Sequence, residues 1–393
     1  MKKIAFLFIL FSQVFFLFAQ NADNEKLIKF IKGNISEKTS AVREASGAES
    51  ILLALKAIDF SLENKDLLGN DRELEGLAVA AILSISPDYI KNANDSQKSI
   101  IVSQFINLFN KFSTSNTVAI ATLTKYSSLY EYLQDRQFVE TLNFFLKSQE
   151  IKKTDESVMK SVFNTLQLIG NSETFLILYD IFDDKNYAHL KNEIENTLVS
   201  LSFISQNEII GLLETADIKD LSQIFKIIKK NSKISKNYVC DVSEKVISKS
   251  ILLLGSSSFV SQEDILVQLE ALNNLSDNKW TRASLVAVSY FQFAKKIYNQ
   301  NLMTETQFES VINCLSNVSP VDAVIPLTAY LEELNRQKEN ETDVSSAIVL
   351  SVIKTLGAIG DKSAFDSLLA VTYLDYDESI LSAARKALSG LRW

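Results

Sequence analysis

Histidine is the side chain that most often serves as a general base, and this chain of 393 residues contains one, His189. Any Ser–His–Asp or Cys–His nucleophile system would depend on that single imidazole, and composition excludes a zinc site with several histidine ligands. His189 stands in the segment YAHLKNE, between a loop and a helical pattern. We therefore interpret His189 as a surface or capping residue rather than a catalytic base.

Ser-x-x-Lys spacings such as Ser157/Lys160 and Ser351/Lys354 would place a lysine one helical turn from a serine. Where this spacing marks a serine nucleophile, it is accompanied by Ser-Asp-Asn and Lys-Thr-Gly. That set is absent here because no Lys-Thr-Gly occurs. The spacing is therefore attributed to chance in a chain rich in serine and lysine.

Ligand-binding loops are also missing from the sequence. There is no Walker A motif and no Gly-x-Gly-x-x-Gly, the patterns that bring backbone amides around phosphates. Asp183-Asp184 and the acidic residues of 375–378 lack the spaced ligands and the glycine of a calcium-binding EF-hand loop. Acidic residues favour helix N-termini, which accounts for both clusters. We expect no catalytic residue, no cofactor and no metal site.

The two cysteines, Cys240 and Cys314, are too few for a disulfide framework. A disulfide between them would close a loop across a separation of 74 residues, and the sequence does not decide whether they pair. Both lie in apolar helical patterns, which favours a role as small buried side chains.

The N-terminus has the layout of a secretory signal peptide. Lys2 and Lys3 precede an uncharged, mostly apolar run of 15 residues at 4–18, followed by Ala19-Gln20 and a polar segment. The run is shorter than the ~20 residues of a spanning helix. We expect residues 1–20 to be removed and the protein to be periplasmic or secreted from a bacterium. The alternative is an uncleaved N-terminal membrane anchor.

Composition favours helices joined by short loops. The chain has only 10 Gly and 3 Pro, whereas an all-β fold of this length needs many turn residues. A single hydrophobic core stops growing near ~250–300 residues, so a chain of 393 residues is a repeat array or several domains. The formal charge of −8 argues against a nucleic-acid partner, which would require a basic surface. No apolar run after the N-terminal one is long enough to span a membrane.

One phrase occurs twice, as LQLIGNSETF at 166–175 and LGAIGDKSAF at 356–365. Residues 163–201 align with 353–391 at a constant shift of 190, without a gap. The identical residues fall on apolar helix faces and at the turn glycine: Thr165, Leu166, Ile169, Gly170, Phe175, Leu178, Leu198 and Leu201. We interpret residues 264–291 as a further copy and residues 41–58 as the second helix of another. Five units in the shift give a repeat of about 38 residues, and four give about 47.5.

The segment 352–391 resembles a HEAT-type repeat, in which two antiparallel helices pair and the Leu-Gly-x-Ile-Gly-Asp phrase precedes the first. The Val-Arg element of the second helix matches at Val42-Arg43 and partly at Asp277/Arg282, and it is replaced at 380–381 and 190–191. The resemblance implies an all-α fold, an α-solenoid (αα superhelix) of HEAT-like helix pairs. We expect it over residues 21–393, less regular over 21–150 and clearest over 151–393.

Stacked helix pairs present an extended surface that binds proteins. Trp280 and Arg282, in the turn NKWTR, are the candidate interface residues, because tryptophan and arginine dominate binding energies at interfaces. The alternative is that Trp280 packs against the neighbouring repeat.

The resulting hypothesis is an exported, non-enzymatic scaffold for protein–protein interaction in the bacterial cell envelope. The alternatives are an enzyme or enzyme accessory on a helical-repeat fold, and an envelope lipid- or glycan-binding protein that uses some of the 24 Phe and 12 Tyr.

Overall fold

The computed structural model describes residues 25–148, 153–255 and 260–392; the predicted signal peptide lies outside them. The structure is 81% helical, and its described part contains twenty-one α-helices and no strand. Neighbouring helices pack in sequence order, so the predicted all-α solenoid is confirmed.

The chain forms two compact units, Met1–Thr197 and Leu198–Trp393. The first contains α1 (Glu25–Lys32), α2 (Ile35–Glu44), α3 (Gly47–Leu68), α4 (Arg72–Ser84), α5 (Pro87–Asn92), α6 (Asp95–Lys111), α7 (Asn116–Leu133), α8 (Gln137–Lys147), α9 (Glu156–Ile169) and α10 (Ser172–Ile181). Helix α11 (Lys191–Leu201) crosses the boundary. The second contains α12 (Gln206–Thr215), α13 (Ile218–Lys230), α14 (Lys236–Leu254), α15 (Gln262–Asp277), α16 (Ser284–Asn299), α17 (Glu305–Val318), α18 (Val324–Glu339), α19 (Ser346–Ile359), α20 (Phe365–Val371) and α21 (Glu378–Ser389).

Polar N-cap residues mark the starts of the helices, since the chain has few glycines and prolines to break them. A helix leaves its first backbone N–H groups without intrahelical partners, and an Asn, Asp, Ser or Thr at the N-cap accepts from one of them. Asn34, Asn94 and Asn171 do so in reciprocal capping boxes with the third helical residue. Ser261 and Thr304 form the same arrangement before α15 and α17. These caps define the short loops that the composition predicts.

The helices of each unit alternate between two rows. We call α3, α6, α8 and α10, and α12, α14, α16, α18 and α20, the first-helix row of their units. The second-helix row consists of α2, α4, α7 and α9 in one unit and α13, α15, α17, α19 and α21 in the other. Each first-row helix except α10 packs on the second-row helix that follows it in its unit, and the apolar faces of the two rows form the core.

The 190-residue shift is reproduced by the helices. Helix α9, Glu156–Ile169, becomes Ser346–Ile359 when 190 is added, and those are the bounds of α19. Five helix pairs follow one another from α9 to α18, so the average repeat is about 38 residues, the shorter of the two predicted periods.

The glycine of the repeated phrase ends a helix in both copies, by different geometry. Gly360 has φ 73° and ψ 24°, the left-handed conformation that glycine adopts without a Cβ clash. Gly170 has φ −60°, which any residue can adopt. In both copies the glycine N–H donates to the carbonyl four residues earlier, Leu356 or Leu166. The phrase is therefore a helix stop in both copies, but only Gly360 requires glycine.

The expectation of one helix over 41–58 is wrong. Helix α2 ends at Glu44, Ala45 and Ser46 are extended, and α3 begins at Gly47 with φ 57°. A left-handed glycine beside an extended serine cannot continue an α-helix, although the apolar spacing runs through both segments. The Val42-Arg43 pair thus lies in the last turn of α2 rather than at a helix start.

Candidate interaction surface

The turn between α15 and α16 holds Trp280 and Arg282 against α14. The half-buried Trp280 donates its indole N–H to Glu244 Oε2 at 3.4 Å. The Arg282 guanidinium lies 4.8 Å from the centroid of the Trp280 ring, within cation–π distance. Arg282 also pairs with Asp241, and its Nε lies 3.7 Å from Glu244 Oε2. The fold thus brings the two sequence-predicted residues together and ties both to the preceding first-row helix.

These ion pairs orient the guanidinium more than they stabilise the fold. The Arg282 side chain is 63% exposed, and exposed pairs contribute about 0–1 kcal/mol. The arrangement instead fixes one face of the Trp280 ring beneath a solvated cation.

The start of α16, after this turn, and the region where α18 starts, one repeat later, carry three exposed apolar side chains, Leu285, Val321 and Ile325, which we call the apolar edge. Their exposed fractions are 70%, 77% and 78%. Ser284 at the start of α16 is hydrogen-bonded to Ser319 at 2.7 Å and to Asp322, which brings the starts of α16 and α18 together. Exposed apolar side chains that gather on one part of a surface often mark a binding site.

The sequence analysis did not find the apolar edge. Leu285, Val321 and Ile325 stand at the starts of apolar helices, where their spacing looks like that of core residues. Their exposure depends on which side of each helix the next pair covers, and that is a tertiary property.

In the second unit, asparagine side chains link successive second-row helices. Asn273 of α15 accepts from Ser310 at 3.3 Å and from the Cys314 thiol at 3.1 Å, both on α17. One repeat later, Asn313 accepts from Ser351 of α19 at 2.8 Å. Because each bond joins residues 37–41 apart, the ladder fixes the register of neighbouring repeats.

Both cysteines are free and buried in the structure. Cys240 is 3.6 Å from the amide nitrogen of Asn274, and Cys314 donates to Asn273. Burial raises the pKa of Cys240, and burial raises the pKa of Cys314 to about 11. The favoured sequence interpretation, two packed thiols, agrees with this geometry.

We expect iodoacetamide at about pH 8 to modify Cys240 and Cys314 at least about a hundredfold more slowly than an accessible thiol, because burial disfavours the reactive thiolate. The matched reference is Ser289→Cys, which adds a thiol at an exposed position of α16. Mass spectrometry of the alkylated native and unfolded protein measures the rates. Rapid labelling of either native cysteine would contradict the burial seen here.

His189 and the two Ser-x-x-Lys pairs, which the sequence analysis weighed for catalysis, lie in other helices. His189 is exposed, in a short 3₁₀ helix before α11. Ser157 donates to Asp155, the N-cap of α9, at 2.5 Å, and Lys160 forms an ion pair with Glu156 at 2.7 Å. The serine and lysine of this spacing therefore have separate partners.

The second Ser-x-x-Lys spacing is divided in the same way. Ser351 is buried and donates to Asn313, whereas Lys354 is exposed on α19. Within the described ranges, no three His, Cys, Asp or Glu side chains form a group that could hold a metal ion. Among the helices described, none is both long and apolar enough to cross a bilayer.

No family model and no curated protein matches this chain.

Proposed function

We propose that this protein is an exported, non-enzymatic scaffold of HEAT-like helix pairs that binds a protein partner in the bacterial cell envelope. The apolar edge carries the proposal. It presents three exposed aliphatic side chains on two adjacent repeats, and Leu285 stands three residues after Arg282, which with Trp280 belongs to the residue types that contribute most to interfaces.

Burial of the apolar edge would supply much of the binding energy. Covering an aliphatic side chain fully contributes about 1.5–3 kcal/mol, and the edge offers three of them on two adjacent repeats. The stacked Trp280–Arg282 pair would form its rim, where a partner can contact the indole face and the cation together.

The proposed compartment depends on the N-terminus. Residues 1–20 have the charge and apolar pattern of a signal peptide, and they lie outside the described residues. Their removal, with Lys2 and Lys3, would change the formal charge from −8 to −10.

We expect Leu285→Asp combined with Ile325→Asp to lower recovery of the partner at least about tenfold, because two buried charges would replace two apolar contacts. Crosslinking in intact cells, followed by affinity purification of the envelope fraction, measures recovery. Mass spectrometry of the same preparation reads the N-terminus, which cleavage would place at Gln20 or Asn21.

The matched control is Leu252→Asp, which changes an equally exposed leucine (73%) near the other end of a first-row helix. It should leave recovery unchanged. Equal loss with both variants, or recovery of lipid without any protein, would contradict the proposed scaffold role.

A further inference from the structure

A groove of about 440 Å³ lies between the second-row helices α4 and α7 of the unit that ends at Thr197. Volumes of this size accommodate ligands or peptide side chains. Its lining is mostly apolar and small: Val79, Leu83, Thr117, Ile120, Ala121, Thr124, Lys125 and Ser128. Leu83 is 62% exposed at the rim.

Lys125 is the only ionisable residue in that lining. It is half-buried, and its Nζ donates to the backbone carbonyl of Leu83, in the last turn of α4, at 3.2 Å. Desolvation lowers the pKa of Lys125, and no neighbouring charge counters that effect. An ammonium has three N–H donors, so further donors are available to an occupant of the groove.

Several lysines of the same unit meet carboxylates, whereas the buried Lys38 and Lys65 donate to backbone carbonyls as Lys125 does. Lys111 lies 2.9 Å from Asp66, and Lys147 lies 2.7 Å from Glu173. The Lys111 and Lys147 side chains are more exposed than that of Lys125. Water therefore solvates their charges better, and a carboxylate partner contributes less free energy to them. Unlike Lys38 and Lys65, Lys125 lines the groove, and its single carbonyl partner offsets the desolvation of its charge only in part.

We infer that this groove binds a peptide segment of a partner protein, with an apolar side chain against Val79, Leu83 and Ile120 and a carboxylate on Lys125. The charge selects an acidic segment, and the apolar walls select against a free inorganic anion. The site lies in a different unit from the apolar edge and does not depend on it.

A random-peptide phage library selected on the full-length protein tests the inference. We expect selected peptides to be enriched in Asp or Glu next to a large apolar residue. In fluorescence anisotropy, changing that acidic residue to its amide should weaken binding of a selected peptide about tenfold or more, the effect of losing one partly buried charge pair.

Lys125→Gln should remove both the enrichment and the preference for the acid over the amide, whereas Lys125→Arg should retain them. Lys354→Gln, the same charge change at an exposed site, is the matched control and should behave as the unaltered protein. A thermal unfolding curve for each variant separates lost binding from lost folding.

Selection of no peptides, selection without acidic enrichment, or equal selection by the Lys125→Gln protein would overturn the inference. Binding of the unaltered protein to anionic vesicles, or self-association lost in Lys125→Gln, would also overturn it, because a lipid or a second copy would then be the occupant. Loss of partner recovery with the Leu285 and Ile325 variants bears only on the apolar edge.

Discussion

Replacing Phe308 with alanine is expected to lower the free energy of unfolding of the unit Leu198–Trp393 by about 3–5 kcal/mol. The Phe308 ring is fully buried. It stacks on Tyr298 at 4.8 Å and on Phe291 at 5.9 Å, and Tyr330 meets it edge-on at 5.9 Å. These rings come from three successive helices, so alanine would leave a cavity that no single side-chain movement can fill.

Chemical denaturation followed by circular dichroism measures the effect. Phe144→Ala is the matched control, because the Phe144 ring is 76% exposed on α8 and its loss should change stability by about 0.5 kcal/mol or less. Similar destabilisation by both substitutions would mean that the aromatic cluster is not the core of this unit. A protein built from helical repeats can unfold in several steps. A change confined to one unfolding transition would assign the destabilisation to one unit.

Replacing Gly357 with leucine is expected to destabilise the same unit by about 2–3 kcal/mol. A Cβ at Gly357 would lie 2.9 Å from Ala387 Cβ and 3.1 Å from Ala387 Cα, closer than side chains pack. Helices α19 and α21 would have to separate along this contact. The higher helix propensity of leucine returns about 1 kcal/mol and does not offset that separation.

The neighbouring Ala358→Leu is the matched control, since Ala358 is exposed on the same helix and should tolerate leucine within about 0.5 kcal/mol. Adding Ala387→Gly to a Gly357→Ala protein should recover stability, because it removes the atom that the new methyl group meets. No rescue in that double variant would show that the two helices are not in contact there. Thermal unfolding of the four proteins completes the test.

The repeated phrase shows how far sequence reasoning reaches. The shift of 190 places Gly357 opposite Gln167 and Ala387 opposite Thr197. In the first unit that pair is a hydrogen bond, from Gln167 Nε2 to Thr197 Oγ1 at 3.4 Å. Helix α9 is therefore joined to α11 through a long polar side chain, whereas α19 is joined to α21 through direct backbone approach. The alignment predicts the position of this contact but not its chemistry.

Trp280 and Arg282 show the same limit at the surface. Their residue types and turn position made them candidates, and the structure brings them together on α14. The sequence does not predict that Asp241 and Glu244 contact these two residues, because the two acidic residues stand 36–41 positions earlier in the chain. Contacts at that separation are made by stacking, which local spacing does not encode.

The apolar periodicity, the capping residues and the repeated phrase determine the helices, their approximate length and their order, because each acts within one or two helical turns. The same local signals misled at Gly47, where backbone conformation overrides an uninterrupted apolar pattern. The tertiary structure alone decided which apolar side chains remain exposed at Leu285, Val321 and Ile325, and which lysine faces a groove without a carboxylate. Exposure and charge pairing depend on which residues of the neighbouring repeat cover a given face, and two helices with the same pattern can be covered differently.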